Sequence, residues 1–419
     1  MEKTETGRAV RRTLAERYDP QDNAFGFLRL ALALGVLIAH AWPLGLAQPS
    51  FGASFTSGQS DLGTLSVQGF FVISGFLVAG SALRLSAGRF AWHRALRILP
   101  GLWVCLAVTA LLIAPAVHLI ERGDLTGFWT HPEGPLRYLA VNWLGAMDQY
   151  PISGLLADTP FGRMMGGPSA FDGSLWSLRY EIACYLLTGL LAATAVLHRA
   201  ARFVLVLTIG TYLLILNDLL TVADWTDRPP TRGAISLPLL GSFTTDWTLY
   251  LTFLFLLGVC ARRYAQRLPI AGRYAAAAGI VVLVSMVFGG FFAIGLPAFA
   301  YLVLYVAVAA PRVLRRIGRR RDYSYGIYIY AFPVQQVVAL LGGASEGLLI
   351  YIVLSVVGTL VFAIPSWHLV EGPALRGRNW LVARSRDDAE ERHRSAVPGL
   401  RTPTQLRPVA DEAPRPLLR

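Results

Sequence analysis

FGFLRLALALGVLIAHAWPLGLA, residues 25–47, is an apolar run broken by two polar residues, Arg29 and His40. It is long enough to cross a bilayer, which takes about 20 such residues. Arg29 and His40 are eleven positions apart. That is close to three helical turns, so they share one helix face at a separation of roughly 16 Å. Ionisable groups inside a membrane are costly, and their default reading is functional. Plainer readings stand beside it. Arg29 is near one end and can snorkel to the headgroups as an anchor. His40 can be a hydrogen-bonded interior histidine. The pair on one face says more than either residue alone.

Composition supports a membrane chain. The 419 residues are 54% hydrophobic and 15% charged, with mean hydropathy +0.49. A soluble domain carries about 25% charged residues. The net charge of +12 does not point to nucleic acid. The basic residues cluster between apolar runs, as topology determinants do. Cys105, Cys184 and Cys260 all lie in apolar segments and form neither a disulfide framework nor a metal spacing. The first apolar run is too long for a signal peptide core and reads as a retained span.

The expected fold is all-α and polytopic, with about ten transmembrane helices. The spans fall near 25–47, 62–83, 97–120, 175–197, 203–220, 247–262, 274–289, 291–310, 323–342 and 348–370. Residues 1–24 read as a basic, mobile cytoplasmic segment, 25–373 as the membrane domain, and 374–419 as a disordered Arg-rich cytoplasmic tail. With the N-terminus in the cytoplasm, 31 of the 38 Lys and Arg residues fall in cytoplasmic segments. Five fall in the opposite loops, and Arg29 and Arg179 fall within spans. This asymmetry places both termini inside. Arg29 then enters near the cytoplasmic face, and His40 lies in the outer half of the first span. Glu181 lies about two turns from the outer surface, at a depth where it can meet His40.

Four further stretches carry candidate chemistry. GFFVISGFLVAG, residues 69–80, has three glycines that permit close helix approach. RFAWHRALRILP, residues 89–100, places Arg94 and Arg97 three apart on one face at the cytoplasmic mouth of the third span. These cations serve topology, or they bind the phosphates of a cytosolic donor. GSLWSLRYE, residues 173–181, holds Glu181 inside a span, where it needs a partner. Arg179 points to a different face, so His40 is the better candidate partner. RRRDYSYGIYIYAFP, residues 319–333, reads as an interfacial aromatic belt or as a ligand-stacking surface.

Together these stretches resemble acyltransferase family 3, the integral-membrane acyltransferases. The resemblance runs in order through Arg29 and His40, FFVISGFL at 70–77, and Arg94, Arg97, Ile98 and Pro100. It continues through Ser174 to Glu181, SYGIYIYAFPVQ at 324–335 and VEGP at 370–373. Many members carry an acidic residue where this chain has Gln68, and Pro where it has Arg179.

The resemblance implies a membrane O-acyltransferase. An acyl group, by family expectation acetyl, would move from cytosolic acyl-CoA to a hydroxyl of an extracytoplasmic or lipid-linked carbohydrate. Arg29, Arg94 and Arg97 would bind the acyl-CoA. His40 would act as general base or carry the acyl group covalently. Glu181 would orient His40 or relay its proton. Gly69, Gly75 and Gly80 would let the first and second spans approach closely around the site. Acyl-CoA is a co-substrate, with no permanently bound cofactor expected, and no metal cluster is found among the seven histidines. The expected partners are acyl-CoA, the carbohydrate acceptor and the bilayer, without nucleic acid. The expected location is a bacterial inner membrane, spanned many times. A transporter of a small anionic solute or glycan intermediate remains the rival reading, since intramembrane Arg, His and Glu serve a carrier as well.

Overall fold

The computed structural model describes residues 12–229 and 231–379, and it is mostly helical. Ten main helices are α1 (Phe25–Leu46), α2 (Leu62–Ala82), α3 (Ala87–Val108), α4 (Leu178–Ala193), α5 (Ala201–Leu219), α6 (Thr245–Arg263), α7 (Gly272–Phe288), α8 (Leu296–Ala309), α9 (Ser324–Leu340) and α10 (Leu348–Ser366). Six helical stretches among the described residues are long and apolar enough to cross a membrane. They contain α1, α2, α3, α5, α8 and α10. The others are shorter or more polar. α4, α7 and α9 have 16 or 17 residues, and α6 carries Asp246 at one end and Arg262 and Arg263 at the other.

Three features depart from the sequence reading. A short antiparallel hairpin, β1 (Ala234–Leu237) and β2 (Gly241–Thr244), interrupts the all-helical pattern between α5 and α6. Residues 12–24 are ordered rather than mobile. Thr13 and Glu16 form a capping box, Leu14 is fully buried, and its N–H donates to the Leu268 carbonyl at 2.8 Å. The third departure concerns the glycines. Only Gly69 faces the first span, where an added Cβ would come within 2.9 Å of Leu32. Gly75 and Gly80 face α6 instead.

The contact between α2 and α6 is backbone against backbone. A Cβ at Gly75 would lie 1.9 Å from the Phe255 carbonyl oxygen, and one at Gly258 would lie 2.3 Å from that of Val72. Without a hydrophobic drive between helices in lipid, such close approach supplies the van der Waals contact. The chain divides into two units, Met1–Arg376 and Gly377–Arg419. The second contributes one described turn, Gly377–Asn379. Most of the expected tail lies outside the described residues.

The Gly75→Ala variant is expected to lose about 2–3 kcal/mol of stability, because a backbone carbonyl cannot retreat as a side chain does. Gly88 is open to space on the first turn of α3. Gly88→Ala is expected to keep or slightly raise stability. Thermal unfolding of the two purified variants in detergent checks the contrast.

Candidate active site

α1 is the spine of the site. Its Arg29 end meets the start of α9, and its His40 end meets the middle of α9. Arg29 Nη2 lies 3.1 Å from Asp322 Oδ2, just before α9 begins. Arg97 Nη2 from α3 reaches the same oxygen at 2.7 Å. The other carboxylate oxygen, Oδ1, accepts from the Ser324 hydroxyl at 2.5 Å. Eleven residues up α1, the His40 ring packs edge-on against Phe332, with centroids 5.2 Å apart. Gln335 Nε2 donates to the Leu37 carbonyl at 2.9 Å and holds the two helices together there.

Around Arg29 lies a narrow cavity of about 100 Å³, lined also by Arg94, Arg97, Ser74, Glu181 and Tyr185. The three arginines singled out in the sequence therefore come together. They are not equivalent. Arg29 and Arg97 share Asp322, whereas Arg94 has no carboxylate within ion-pair distance among the described residues. The Arg94 guanidinium sits over the Tyr185 ring, 5.6 Å from its centroid. Tyr185 donates its hydroxyl to Glu181 one turn earlier on α4, and Ser74 donates to the same carboxylate oxygen at 3.1 Å. Glu181 thus fixes the ring beneath Arg94.

Around His40 lies a second cavity, of about 460 Å³, lined by Asp61, Ser50, Thr64, Trp176 and Trp247 among others. His40 Nδ1 is buried without a hydrogen-bond partner among the described residues, while Nε2 is not enclosed in this way. The carboxylate of this cavity is Asp61, not Glu181. Asp61 caps α2, accepting from the Gly63 and Thr64 amides at 2.7 and 3.0 Å and from the Thr64 hydroxyl at 2.6 Å. Ser50 Oγ donates to it at 3.0 Å.

The expected pairing of His40 with Glu181 is therefore not what the structure holds. The reason is the path of the chain before α4. Gln336 Nε2 donates to Ser169 Oγ and to the Ala170 carbonyl at 2.5 and 2.8 Å. Eight residues earlier on α9, the Tyr328 hydroxyl donates to the Ser174 carbonyl at 2.6 Å. Residues 169–174 thus descend roughly 12 Å beside α9 before α4 begins. Gly173 permits the descent, since a Cβ there would lie 2.4 Å from the Phe332 ring. Irregular backbone at such depth is tolerated where protein buries it or a cavity opens beside it. The descent carries Glu181 past the level of His40 and into the arginine cavity.

Arg179 points elsewhere, as its position on α4 implies. It donates to the Ser242 carbonyl at 2.6 Å and to the Tyr150 hydroxyl at 3.0 Å, tying α4 to β2 and to the loop around Tyr150. Sequence reasoning missed Asp322, Asp61, Tyr185 and Tyr328. Asp322 had a usable signal, a lone acid between three arginines and an apolar run. Asp61 also had one, because Asp directly before an apolar run is a helix-start mark.

Comparison with known proteins identifies the family. Residues 22–368 match an acyltransferase domain, and the chain belongs to acyltransferase family 3. It is 28% identical over 362 residues to an O-acetyl transferase of Shigella phage Sf6, a match spanning 84% of this chain and 95% of that protein. It is 30% identical over 392 residues to Nodulation protein 10 of Rhizobium leguminosarum bv. viciae, spanning 86% of this chain and 95% of that one. No solved structure matches. The chain is thus a multi-pass membrane enzyme that transfers acyl groups other than aminoacyl groups.

Burial opposes ionisation of Asp322, but the Arg29 and Arg97 guanidiniums outweigh it and hold the carboxyl at about 2, below its ordinary 3.8. A depressed carboxyl adds stability that is present above the ordinary range and is lost as pH falls through the folded value. Asp322→Asn is expected to cost about 2 kcal/mol at pH 7. The gap from wild type should close as pH drops from about 4 toward 2. Unfolding of both proteins in detergent across that range checks it, and a pH-independent gap would contradict it.

Proposed function

We propose that this protein moves an acyl group, acetyl in the first instance, from cytosolic acyl-CoA to a hydroxyl of an extracytoplasmic or lipid-linked carbohydrate. The observation that carries the reading is the pair of cavities on α1 in a chain of this family. One gathers cations, and the other holds a histidine among polar and aromatic residues. The ten main helices would all cross the bilayer, with both termini in the cytoplasm, in a bacterial inner membrane. The Lys and Arg asymmetry along the chain supports this orientation.

The arginine cavity would then open toward the cytosol. Arg94 is the cation best placed for a CoA phosphate, because Asp322 does not occupy it. Arg29 and Arg97 add to the positive field while Asp322 holds them in place. Glu181 acts through Tyr185 as a positioning residue beneath Arg94. The outer cavity would take the acceptor. Trp176 and Trp247, with ring centroids 4.6 Å apart, offer apolar faces to a sugar ring. The Arg228 guanidinium covers one part of this wall, 4.3 Å from the Trp247 ring centroid.

His40 would take the proton from the acceptor hydroxyl. The resulting oxygen nucleophile attacks the thioester carbonyl, the C–S bond breaks, and CoA leaves as its thiol after taking up a proton. Acyl-CoA enters as a co-substrate. A covalent acyl-His40 intermediate would serve the same net transfer in two steps.

Labelled acetyl-CoA supplied to inverted membrane vesicles tests the reading. Label is expected in carbohydrate or lipid-linked material with the wild type. His40→Ala should lower transfer by about 10²–10⁴-fold, the usual contribution of an acid–base group. Arg94→Ala is expected to raise KM for acetyl-CoA about tenfold, ~1.4 kcal/mol, with a smaller effect on kcat. Folded protein that neither binds nor consumes any acyl-CoA would overturn the proposal in favour of transport.

A further inference from the structure

We propose that the Tyr328 side chain is a movable septum between the two cavities, and that it must swing aside before an acyl group passes from the arginine side to His40. This rests on the reading of the cavities as donor and acceptor chambers.

Two residues line both cavities, Val67 from α2 and Tyr328 from α9. They are the shared wall. Both are nearly closed off, at 5% and 6% exposure. Tyr328 stands between the levels marked by Asp322 with Arg29 and by Phe332 with His40. Its hydroxyl clasps both ends of the turn Gly173–Ser177. It donates to the Ser174 carbonyl at 2.6 Å, which leaves it to accept from the Ser177 hydroxyl at 2.5 Å. Ser177 lines the arginine cavity and Ser174 lines the His40 cavity. The ring itself meets Phe70 edge-on, with centroids 5.9 Å apart.

The backbone on the far side of the clasp has little room to give. Gly173 already lies against the Phe332 ring with no space for a Cβ. The Tyr328 side chain is tied to that backbone by two hydrogen bonds and has a cavity on each side of it, so it is the part of the wall with room to move. Closed, it keeps water in the larger outer cavity away from a thioester bound on the arginine side. Open, it joins the two cavities along the α1 face that carries both Arg29 and His40.

Sided labelling tests this without turnover. Leu77→Cys reports on the arginine cavity. Ser174→Cys reports on the His40 cavity and keeps the carbonyl that Tyr328 holds. A small, charged, membrane-impermeant methanethiosulfonate is applied to one face of sealed vesicles and then to the other. Peptide mapping separates these sites from Cys105, Cys184 and Cys260. Each reporter should be modified from one face only, and the two from opposite faces. In a Tyr328→Ala background both should react from both faces. Val67→Ala opens the same wall from the other side and serves if Tyr328→Ala does not fold. Reporters that react from both faces with Tyr328 in place would overturn the septum. So would sidedness unchanged by either variant in folded protein.

The second readout is the ratio of CoA released to acyl groups transferred. With the wall open, water adds to the thioester carbonyl, the C–S bond breaks, and a free carboxylate and CoA thiol result. The ratio should be near one for wild type and rise severalfold for Tyr328→Ala. Tyr328→Phe keeps the ring but loses the clasp, and should give a smaller rise. A ratio unchanged in an active Tyr328→Ala variant would overturn the gating role. Correct sidedness with no acyl transfer at all would uphold the wall and count against the enzymatic reading instead.

Discussion

The carboxylate of Asp322 holds two guanidiniums on one oxygen, and the geometry of the site follows from that. Arg29 comes from α1, Arg97 from α3, and Asp322 sets the start of α9. Three helices are thereby pinned at one level. Two arginines so close together would repel each other without it, and a partly buried charge without a partner is costly. With these ends fixed, α1 and α9 run side by side toward the His40 end, where Gln335 and Phe332 hold the second contact. The pairing also explains why Arg94 differs from its neighbours. It shares their cavity but not their counter-ion.

The two cavities lie one after the other along α1. Cations gather at one end, and an imidazole with a free-facing nitrogen stands at the other. The segment 169–177 makes this possible by descending into the helix bundle. It supplies Trp176 and Ser174 to one cavity and Ser177 to the other, then delivers Glu181 beside the arginines. Under the proposed reading, in which an acyl group moves between two aqueous phases, donor and acceptor sites must lie near each other yet be separated from each other's water. A thin wall made of side chains answers both needs, where a full helix would not.

Much of this was legible in the residues. The apolar runs overlap every main helix, and six helical stretches among the described residues are long and apolar enough to cross a membrane. Arg29 and His40 share a face because eleven residues is close to a whole number of turns. Arg94 and Arg97 share a face because they are three apart, but the helix begins at Ala87, so they lie roughly two and three turns inside it rather than at its mouth. The depth of Glu181 was not legible. Hydropathy marks where apolar character begins, but the buried segment before α4 is rich in Gly, Ser, Pro and Asp and reads as an outer loop. Asp322 was hidden among basic residues that explain themselves as topology signals. The hairpin at 234–244 carries no clear strand alternation, and its first strand is exposed throughout. The glycines announced close packing but not their partner. Gly75 pairs with α6, more than 170 residues away, and no local pattern carries such a contact.

The most direct test of the central claim is photo-crosslinking with an acyl-CoA analogue that carries a diazirine at the end of its acyl chain. The account predicts adducts on residues lining the arginine cavity near the shared wall, such as Val67, Ser177 and Leu178, competed away by acetyl-CoA and reduced in Arg94→Ala. Adducts confined to the separate groove among α5, α6 and α8, around Leu205, Leu257 and Leu304, or adducts indifferent to acetyl-CoA, would contradict it.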